Sequence, residues 1–201
     1  MSKPPSAQKD PRPDAPGTGR GPGRVNGLGR GCIHLYTGDG KGKTTAALGL
    51  ALRAAGSGLT TCIVQFMKGR HYSELESVKK LGGLVTIEQY GHPDFCRVTD
   101  PPDPGDVQRA RAGLARLKSI IEARSCDILV ADEMITAMKF GLLSEDDVTG
   151  IMGDKPEGME LVLTGRGATA ALIDKADLVT EMREVKHYYQ KGVDARDGIE
   201  S

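Results

Sequence analysis

The chain has 201 residues, and its 27 lysines and arginines balance 27 aspartates and glutamates, so the formal net charge is zero. This length favours a single folded domain, and the balanced charge argues against a nucleic-acid-binding protein, which usually carries a basic excess. No apolar run approaches the roughly 20 residues needed to cross a bilayer, and the N-terminus lacks the apolar core of a signal peptide. We therefore expect a cytoplasmic protein with no nucleic-acid partner and no membrane partner.

Residues 1–30 differ in composition from the rest of the chain. They contain six prolines, six glycines and six basic residues, against two acidic ones. Beyond Met1, the large aliphatic residues are Val25 and Leu28, too few to offset the entropy cost of ordering the segment. We predict a disordered basic tail over residues 1–30, with a functional arm as the alternative, and one folded domain over residues 31–201.

From Cys32 onward, apolar runs that suit buried strands alternate with helical patterns. The predicted strands are Cys32–Tyr36, Leu59–Phe66, Leu84–Ile87, Asp127–Ala131, Glu160–Leu163 and Leu178–Thr180. A helix over Ala46–Ala55 follows the first strand, and apolar residues after Asp106 recur at three- and four-residue steps, as on one face of a helix. This alternation predicts an α/β three-layer sandwich with a mainly parallel central sheet and a site at the carboxyl ends of its strands.

A glycine-rich loop joins the first predicted strand to the first predicted helix. Its residues are Thr37, Gly38, Asp39, Gly40, Lys41, Gly42, Lys43, Thr44 and Thr45. A phosphate-binding loop is usually written G-x-x-x-x-G-K-[ST], but here Thr37 stands at the first position and the glycine follows at Gly38. The context still favours phosphate binding, because backbone amides and a helix N-terminus attract anions. Lys43 would neutralise phosphate charge, and the Thr44 hydroxyl would bind Mg²⁺.

Polar residues follow other strands at the same predicted edge of the sheet. Asp132 and Glu133 end the fourth strand, where carboxylates hold Mg²⁺ directly or through water. Lys68 follows the second strand and Arg166 the fifth, and both could reach a triphosphate. The long loop after the third strand, which contains Phe95, suits a substrate lid. With the glycine-rich loop, these residues predict a nucleotide site of the P-loop NTPase (RecA-like) type.

These pieces together resemble the ATP:corrinoid adenosyltransferases, the family that makes adenosylcobalamin or its precursors. The stretches that carry the resemblance are "TGDGKGKTTAA", "VQFMKG", "DILVADE", "LVLTGRG" and "ADLVTEMREVKHYYQKGVDARDGIE". They run in order from about Gly31 to Glu200. The variant loop, T-G-x-G-K-G-K-T-T, is specific to this family rather than general to nucleotide-binding proteins.

The resemblance implies that the cobalt(I) of a reduced corrinoid attacks the ribose 5′ carbon of ATP, the co-substrate, and that the whole triphosphate leaves. The loop would grip the terminal phosphates, with Mg²⁺ or Mn²⁺ as cofactor, while the ribose carbon faces the corrinoid. Lys41 and Lys43 would neutralise the triphosphate, and Thr44 with Asp132 or Glu133 would bind the metal. The family also implies a homodimer and an electron donor that reduces the cobalt.

The sequence departs from the family pattern at two places. One branch of the family carries two aromatic residues, Phe-x-Trp, after the third strand, where they displace the lower cobalt ligand. This chain has no tryptophan, and Phe95 lies near that position, so we expect Phe95 to act in the corrinoid step, with a ring in the core as the alternative. The family often has a helical N-terminal arm over the site, whereas residues 1–30 are predicted here to be disordered.

Two other classes of function stay open on the sequence. A phosphotransferase or NTP hydrolase would need a residue that activates a hydroxyl or a water, and none stands out. A non-catalytic regulator would bind ATP and a corrinoid without turnover. The guanine-reading Asn-Lys-x-Asp motif of GTPases is absent, because Asn26 is the only asparagine. The sequence also leaves open which corrinoid is the natural substrate, and whether the reaction serves synthesis or salvage.

Overall fold

The structure is a computed structural model that describes residues 28–93 and 100–200. Residues 1–27 of the predicted tail, and Phe95 in the loop after the third strand, lie outside the described residues. The expectations for the tail and for Phe95 therefore stay predictions. Leu28, at the start of the described chain, already packs against the apolar cluster on one face of the sheet.

The described residues form one parallel sheet with helices on both faces. Its strands are β1 (Ile33–Thr37), β2 (Thr61–Phe66), β3 (Val85–Tyr90), β4 (Ile128–Asp132), β5 (Glu160–Thr164) and β6 (Leu178–Glu181). The α-helices are α1 (Lys43–Gly56), α2 (Ser73–Lys79), α3 (Pro104–Ala123), α4 (Met134–Lys139), α5 (Glu145–Asp154) and α6 (Ala170–Lys175). Every strand pairing is parallel, and the spatial order is β3-β2-β4-β5-β1-β6.

The sheet separates two apolar clusters, which explains why its central strand β4 is continuously apolar in sequence up to Asp132. All five residues of β4 are buried. Leu129 and Ala131 belong to the cluster covered by α3, α4, α5 and α6, whereas Ile128 and Val130 belong to the cluster covered by α1 and α2. A strand buried on both faces has no polar side to alternate with its apolar one. The predicted three-layer α/β sandwich is therefore confirmed.

The predicted elements match the observed ones closely, with differences at their ends. Each of the six predicted strands is present, and β3 extends to Tyr90 rather than ending at Ile87. Helix α1 begins at Lys43, three residues before the predicted Ala46. Its first turn therefore includes the last residues of the glycine-rich loop. No helix within residues 28–93 and 100–200 is long and apolar enough to cross a membrane.

The strand order brings the polar strand ends together. Because all strands are parallel, their carboxyl ends lie at one edge of the sheet. Strand β5 lies between β4 and β1, so the strand that leads into the glycine-rich loop and the strand that ends at Asp132 are not direct neighbours in the sheet. Gly165, the first residue after β5, has a φ of 141°. A Cβ atom added there would lie 2.5 Å from the Thr136 amide nitrogen on α4, so glycine is required for this contact between β5 and α4.

We expect Gly165→Ala to lower the free energy of unfolding by at least about 2 kcal/mol, because the added methyl group meets the backbone and the positive φ is strained. Gly150→Ala is the matched control: Gly150 lies within α5, and a Cβ atom there meets no neighbour within 4 Å. It should raise the free energy of unfolding by about 0.5–1 kcal/mol. Denaturant unfolding of both variants tests whether glycine is required at Gly165. Equal changes in the free energy of unfolding would contradict this requirement.

Candidate nucleotide site

The glycine-rich loop turns directly from the end of β1 into the first turn of α1. Gly38 has a φ of 92°, and Gly42, the N-cap of α1, has a φ of 120°. Both are values that residues with a side chain rarely adopt. Gly42 has no side chain to cap the amides of the first turn. These amides and the positive end of the helix therefore suit an anion.

The loop lies against the chain segment that follows β6, and this contact accounts for its unusual glycine spacing. The Met182 carbonyl oxygen accepts a hydrogen bond from the Gly40 amide at 2.7 Å, and the Met182 amide donates to the Thr37 carbonyl at 2.8 Å. A Cβ atom at Gly38 or Gly40 would lie 2.4 or 2.7 Å from the Met182 carbonyl oxygen. Thr37 itself still belongs to β1, so the glycine is needed one residue later than in the usual motif.

The two lysines of the loop differ in their surroundings. The Lys43 side chain is almost fully buried, and its ammonium donates to the carbonyl oxygens of Gly38 at 2.7 Å and Gly40 at 2.8 Å. Burial lowers the pKa of Lys43, although the nearby Glu133 carboxylate opposes this shift. Lys41 is exposed, and its ammonium donates at 2.9 Å to the carbonyl oxygen of Ile199, near the C-terminus.

Asp132, at the end of β4, is completely buried and accepts hydrogen bonds from four side chains. Its Oδ1 atom accepts from the hydroxyls of Thr44 at 2.9 Å and Thr164 at 2.7 Å. Its Oδ2 atom accepts from the Lys68 ammonium at 2.8 Å and the Gln65 amide at 3.2 Å. These four residues come from α1, β5, the loop after β2, and β2 itself. Asp132 therefore joins the loop to the sheet.

Glu133 is held by a different set of contacts and faces the cavity. Its φ of 60° is left-handed, and its amide donates to the Thr164 hydroxyl at 2.9 Å. The Thr136 hydroxyl donates to the Glu133 carboxylate and accepts from the Arg166 amide at 2.9 Å. Glu133 lines the cavity beside the loop, whereas Asp132 lies behind that wall. The sequence left the choice of metal ligand open between these two carboxylates, and the geometry favours Glu133.

Lys68 points from the end of β2 back to the loop. The residue before it, Met67, has a left-handed φ of 59°, and this turn brings the Lys68 ammonium to Asp132 and to within 3.1 Å of the Thr44 hydroxyl oxygen. Burial opposes the charge of Lys68, but the Asp132 carboxylate, helped by Glu133, outweighs burial and raises the pKa of Lys68. The ammonium therefore stays charged next to the loop.

A cavity of about 560 Å³ lies over the loop and collects most of the predicted site residues. The predicted residues in its wall are Asp39, Gly40, Lys41, Gly42, Lys43, Thr44, Thr45, Lys68, Glu133 and Arg166. Gly38 lies outside the wall and accepts from Lys43 through its carbonyl. The structure thus brings the predicted residues to one place, although the role of each one stays a prediction.

The C-terminal segment supplies part of the cavity wall that sequence reasoning missed. Glu184, His187, Gly198, Ile199 and Glu200 line the cavity. Within the segment, Glu200 accepts hydrogen bonds from Tyr188 and Arg196. These residues belong to the stretch "ADLVTEMREVKHYYQKGVDARDGIE", which carries part of the family resemblance. The resemblance alone could therefore have indicated that this segment contributes to the site.

The donor set at the loop fits a magnesium ion bound together with a nucleotide. Among the described residues, no group of three or more His, Cys, Asp or Glu side chains is placed to hold a metal. Mg²⁺ at nucleotide sites, however, usually takes one or two protein ligands together with phosphate oxygens and waters. The Thr44 hydroxyl and the Glu133 carboxylate both line the cavity, and they supply oxygen ligands of the kind that Mg²⁺ prefers.

Comparison with known proteins decides the family. The sequence profile described as ATP:corrinoid adenosyltransferase BtuR/CobO/CobP matches residues 29–201. The chain belongs to the ATP:corrinoid adenosyltransferase family. Proteins named corrinoid adenosyltransferase from Pseudomonas aeruginosa and Escherichia coli are each 32% identical to it; the alignments cover 85% of this chain and 84% and 86% of theirs.

The family assignment confirms the resemblance seen in the sequence and makes this chain an enzyme of the transferase class. The crystal structure of a KaiC-like protein from Pyrococcus horikoshii superposes with a TM-score of 0.50 at 17% identity, covering 78% of this chain and 74% of that one. At this identity the likeness concerns the fold alone. It agrees with the predicted P-loop NTPase (RecA-like) class.

We expect Lys43→Ala to reduce adenosylation by at least about 100-fold, because it removes a buried cation from the loop that is predicted to bind the phosphates. Lys41→Ala should retain measurable activity, with a loss below about tenfold, because the Lys41 ammonium is exposed and donates to the C-terminal segment. Steady-state rates with ATP and a reduced corrinoid provide the measurement. Wild-type turnover in Lys43→Ala would contradict the assignment of the phosphate loop.

Replacement of Asp132 should lower stability, whereas replacement of Glu133 should weaken the binding of the metal–nucleotide complex. Asp132→Asn should lower the free energy of unfolding by about 3 kcal/mol, because it breaks a buried pair with Lys68. Glu133→Gln should leave stability within about 1 kcal/mol but weaken the binding of a Mn²⁺–nucleotide complex about tenfold. Unfolding curves and Mn²⁺ EPR titrations separate the two residues, and the reverse pattern would contradict their assignment.

Proposed function

We propose that this chain transfers the 5′-deoxyadenosyl group of ATP to the cobalt(I) of a reduced corrinoid and releases tripolyphosphate. The observation that carries the proposal is the cavity over the phosphate loop, in a chain that belongs to the corrinoid adenosyltransferase family. Lys41, Lys43, Lys68 and Arg166 line this cavity. Such a set of cations suits a leaving group that carries several negative charges.

The reaction is a displacement at carbon. The electron pair of cobalt(I) attacks the ribose C5′ atom, a cobalt–carbon bond forms, and the bond between C5′ and its oxygen breaks. The electron pair of that broken bond leaves on the tripolyphosphate. No general base is required, because cobalt(I) supplies its own electron pair.

The chain would accelerate this displacement in two ways. Holding the triphosphate in the loop would fix C5′ in front of the corrinoid, and such positioning can contribute roughly 7–11 kcal/mol. Lys43 and Arg166 would neutralise the negative charge of the leaving triphosphate, an effect worth most in a site shielded from water. The loop would then act on the leaving group, although the bond that breaks lies at the ribose.

Mg²⁺, or Mn²⁺ in its place, would be held by the Thr44 hydroxyl, the Glu133 carboxylate and the phosphates. When bound, this ion would neutralise part of the phosphate charge. Asp132 would orient Thr44 without contacting the metal, because the Thr44 hydroxyl already donates to Asp132. This arrangement would leave an oxygen lone pair of Thr44 available for a cation.

Phe95 is proposed to crowd the lower face of the cobalt, as the sequence pattern suggested. A homodimer and an external electron donor for the cobalt are also proposed on the basis of the family. Adenosylcobalamin biosynthesis or salvage would be the setting of the reaction.

Phosphorus NMR tests the proposed reaction against phosphoryl transfer. With Mg²⁺, ATP and a chemically reduced corrinoid, we expect intact tripolyphosphate and an equal amount of a light-sensitive alkylated corrinoid. A hydrolase or kinase would instead produce ADP, because attack occurs at the terminal phosphorus. Production of ADP with the corrinoid left unalkylated would contradict the proposal, and binding of both ligands without turnover would indicate a regulator.

A further inference from the structure

The ammonium of Lys68 lies between Asp132 and the first turn of α1. It lies 2.8 Å from Asp132 Oδ2 and 3.1 Å from Thr44 Oγ1. Its side chain is 17% exposed, and Asp132 is almost completely shielded. The ammonium thus bridges the hydroxyl that is expected to bind the metal and the carboxylate that orients this hydroxyl.

The Thr44 hydroxyl can serve only a limited number of partners. Its proton is donated to Asp132 Oδ1, so only its oxygen lone pairs are left for a cation. One of these already accepts from Lys68. A magnesium ion on Thr44 would therefore share this one oxygen atom with the ammonium. Two cations held by the same oxygen atom repel each other.

We propose that Lys68 is a resident cation, which stands beside Thr44 in the nucleotide-free protein and moves onto the phosphates when a divalent cation enters with the nucleotide. The inference rests on the proposed function, because it assumes that Thr44 is a metal ligand. It assigns Lys68 two successive partners, first Asp132 and Thr44 and then the triphosphate.

The surroundings of Lys68 allow this movement. Lys68 lines the same cavity as the phosphate loop, so its ammonium can turn toward a ligand there without passing through the core. The Tyr72 ring, which lines the same cavity, has its centroid 5.5 Å from the ammonium. This distance suits a cation–π contact, so the ammonium has a second partner on the cavity side. After the movement, Gln65 and Thr164 would still donate to Asp132. The buried carboxylate would therefore keep hydrogen-bond donors on both oxygens.

Mn²⁺ binding, measured by EPR on the full chain without nucleotide, tests the proposal. Lys68→Met should bind Mn²⁺ at least about tenfold more tightly than the wild type, because a competing cation is removed. The same variant should bind the Mn²⁺–tripolyphosphate complex about tenfold more weakly, because the ammonium that would reach the phosphates is missing. These changes of opposite sign distinguish a resident cation from a lysine that only binds phosphate.

Lys41→Met is the matched control, because it removes the same charge from the same cavity while the Lys41 ammonium donates to Ile199. It should change the affinity for Mn²⁺ alone by less than about twofold. Thermal unfolding reports whether each variant folds. If Lys68→Met does not fold, Lys68→Gln, which keeps a donor for Asp132, should show the same pair of changes.

Unchanged Mn²⁺ affinity in the folded Lys68 variant would overturn the proposal, and so would an equal gain in Lys41→Met. This outcome is separate from a failure of the proposed function. Release of tripolyphosphate by the wild type would still support adenosyl transfer when Lys68 proves not to be a resident cation. If the wild type released no tripolyphosphate, the proposed function would be contradicted, whereas the measured effect of Lys68→Met on Mn²⁺ affinity would still stand.

Discussion

The buried carboxylate of Asp132 is the contact on which the arrangement of the site depends. It accepts side-chain hydrogen bonds from Thr44, Thr164, Gln65 and Lys68, which come from three separate parts of the chain. A buried carboxylate left without such donors would be costly, so these three segments are held in place by a single group. The phosphate loop, the end of β5 and the loop after β2 are thereby fixed relative to one another.

The sequence predicted the fold well because burial on both faces of a parallel sheet leaves a clear signal. Strand β4 is apolar throughout until it ends at Asp132, and β5 is apolar from Leu161 to Leu163. The sequence could not separate the roles of Asp132 and Glu133, because the direction of the Glu133 side chain depends on how the backbone turns after β4. Glu133 turns toward the cavity through its left-handed φ of 60°. A glutamate in the sequence gives no sign of this conformation.

Two other features depend on contacts between distant parts of the chain, so periodicity could not reveal them. The C-terminal segment reaches the phosphate loop through the bond from Lys41 to Ile199, a separation of 158 residues. Gly38 and Gly40 lie against the backbone of Met182, where a side chain would not fit. This contact explains why glycine is required at Gly38, whereas Thr37 still belongs to β1. The variant motif is therefore a packing requirement of this fold, and the phosphate-binding role of the loop is compatible with it.

In the proposed reaction, the loop holds the leaving triphosphate, and the bond that breaks lies between C5′ and its oxygen. The most direct test uses ATP labelled with ¹⁸O at the oxygen that bridges C5′ and the α-phosphorus, together with a reduced corrinoid. If cobalt attacks carbon, every labelled oxygen should appear in a terminal phosphate of the released tripolyphosphate, where it shifts the ³¹P signal. Tripolyphosphate without the label, accompanied by labelled adenosine, would mean that the phosphorus–oxygen bond breaks, and it would contradict the account.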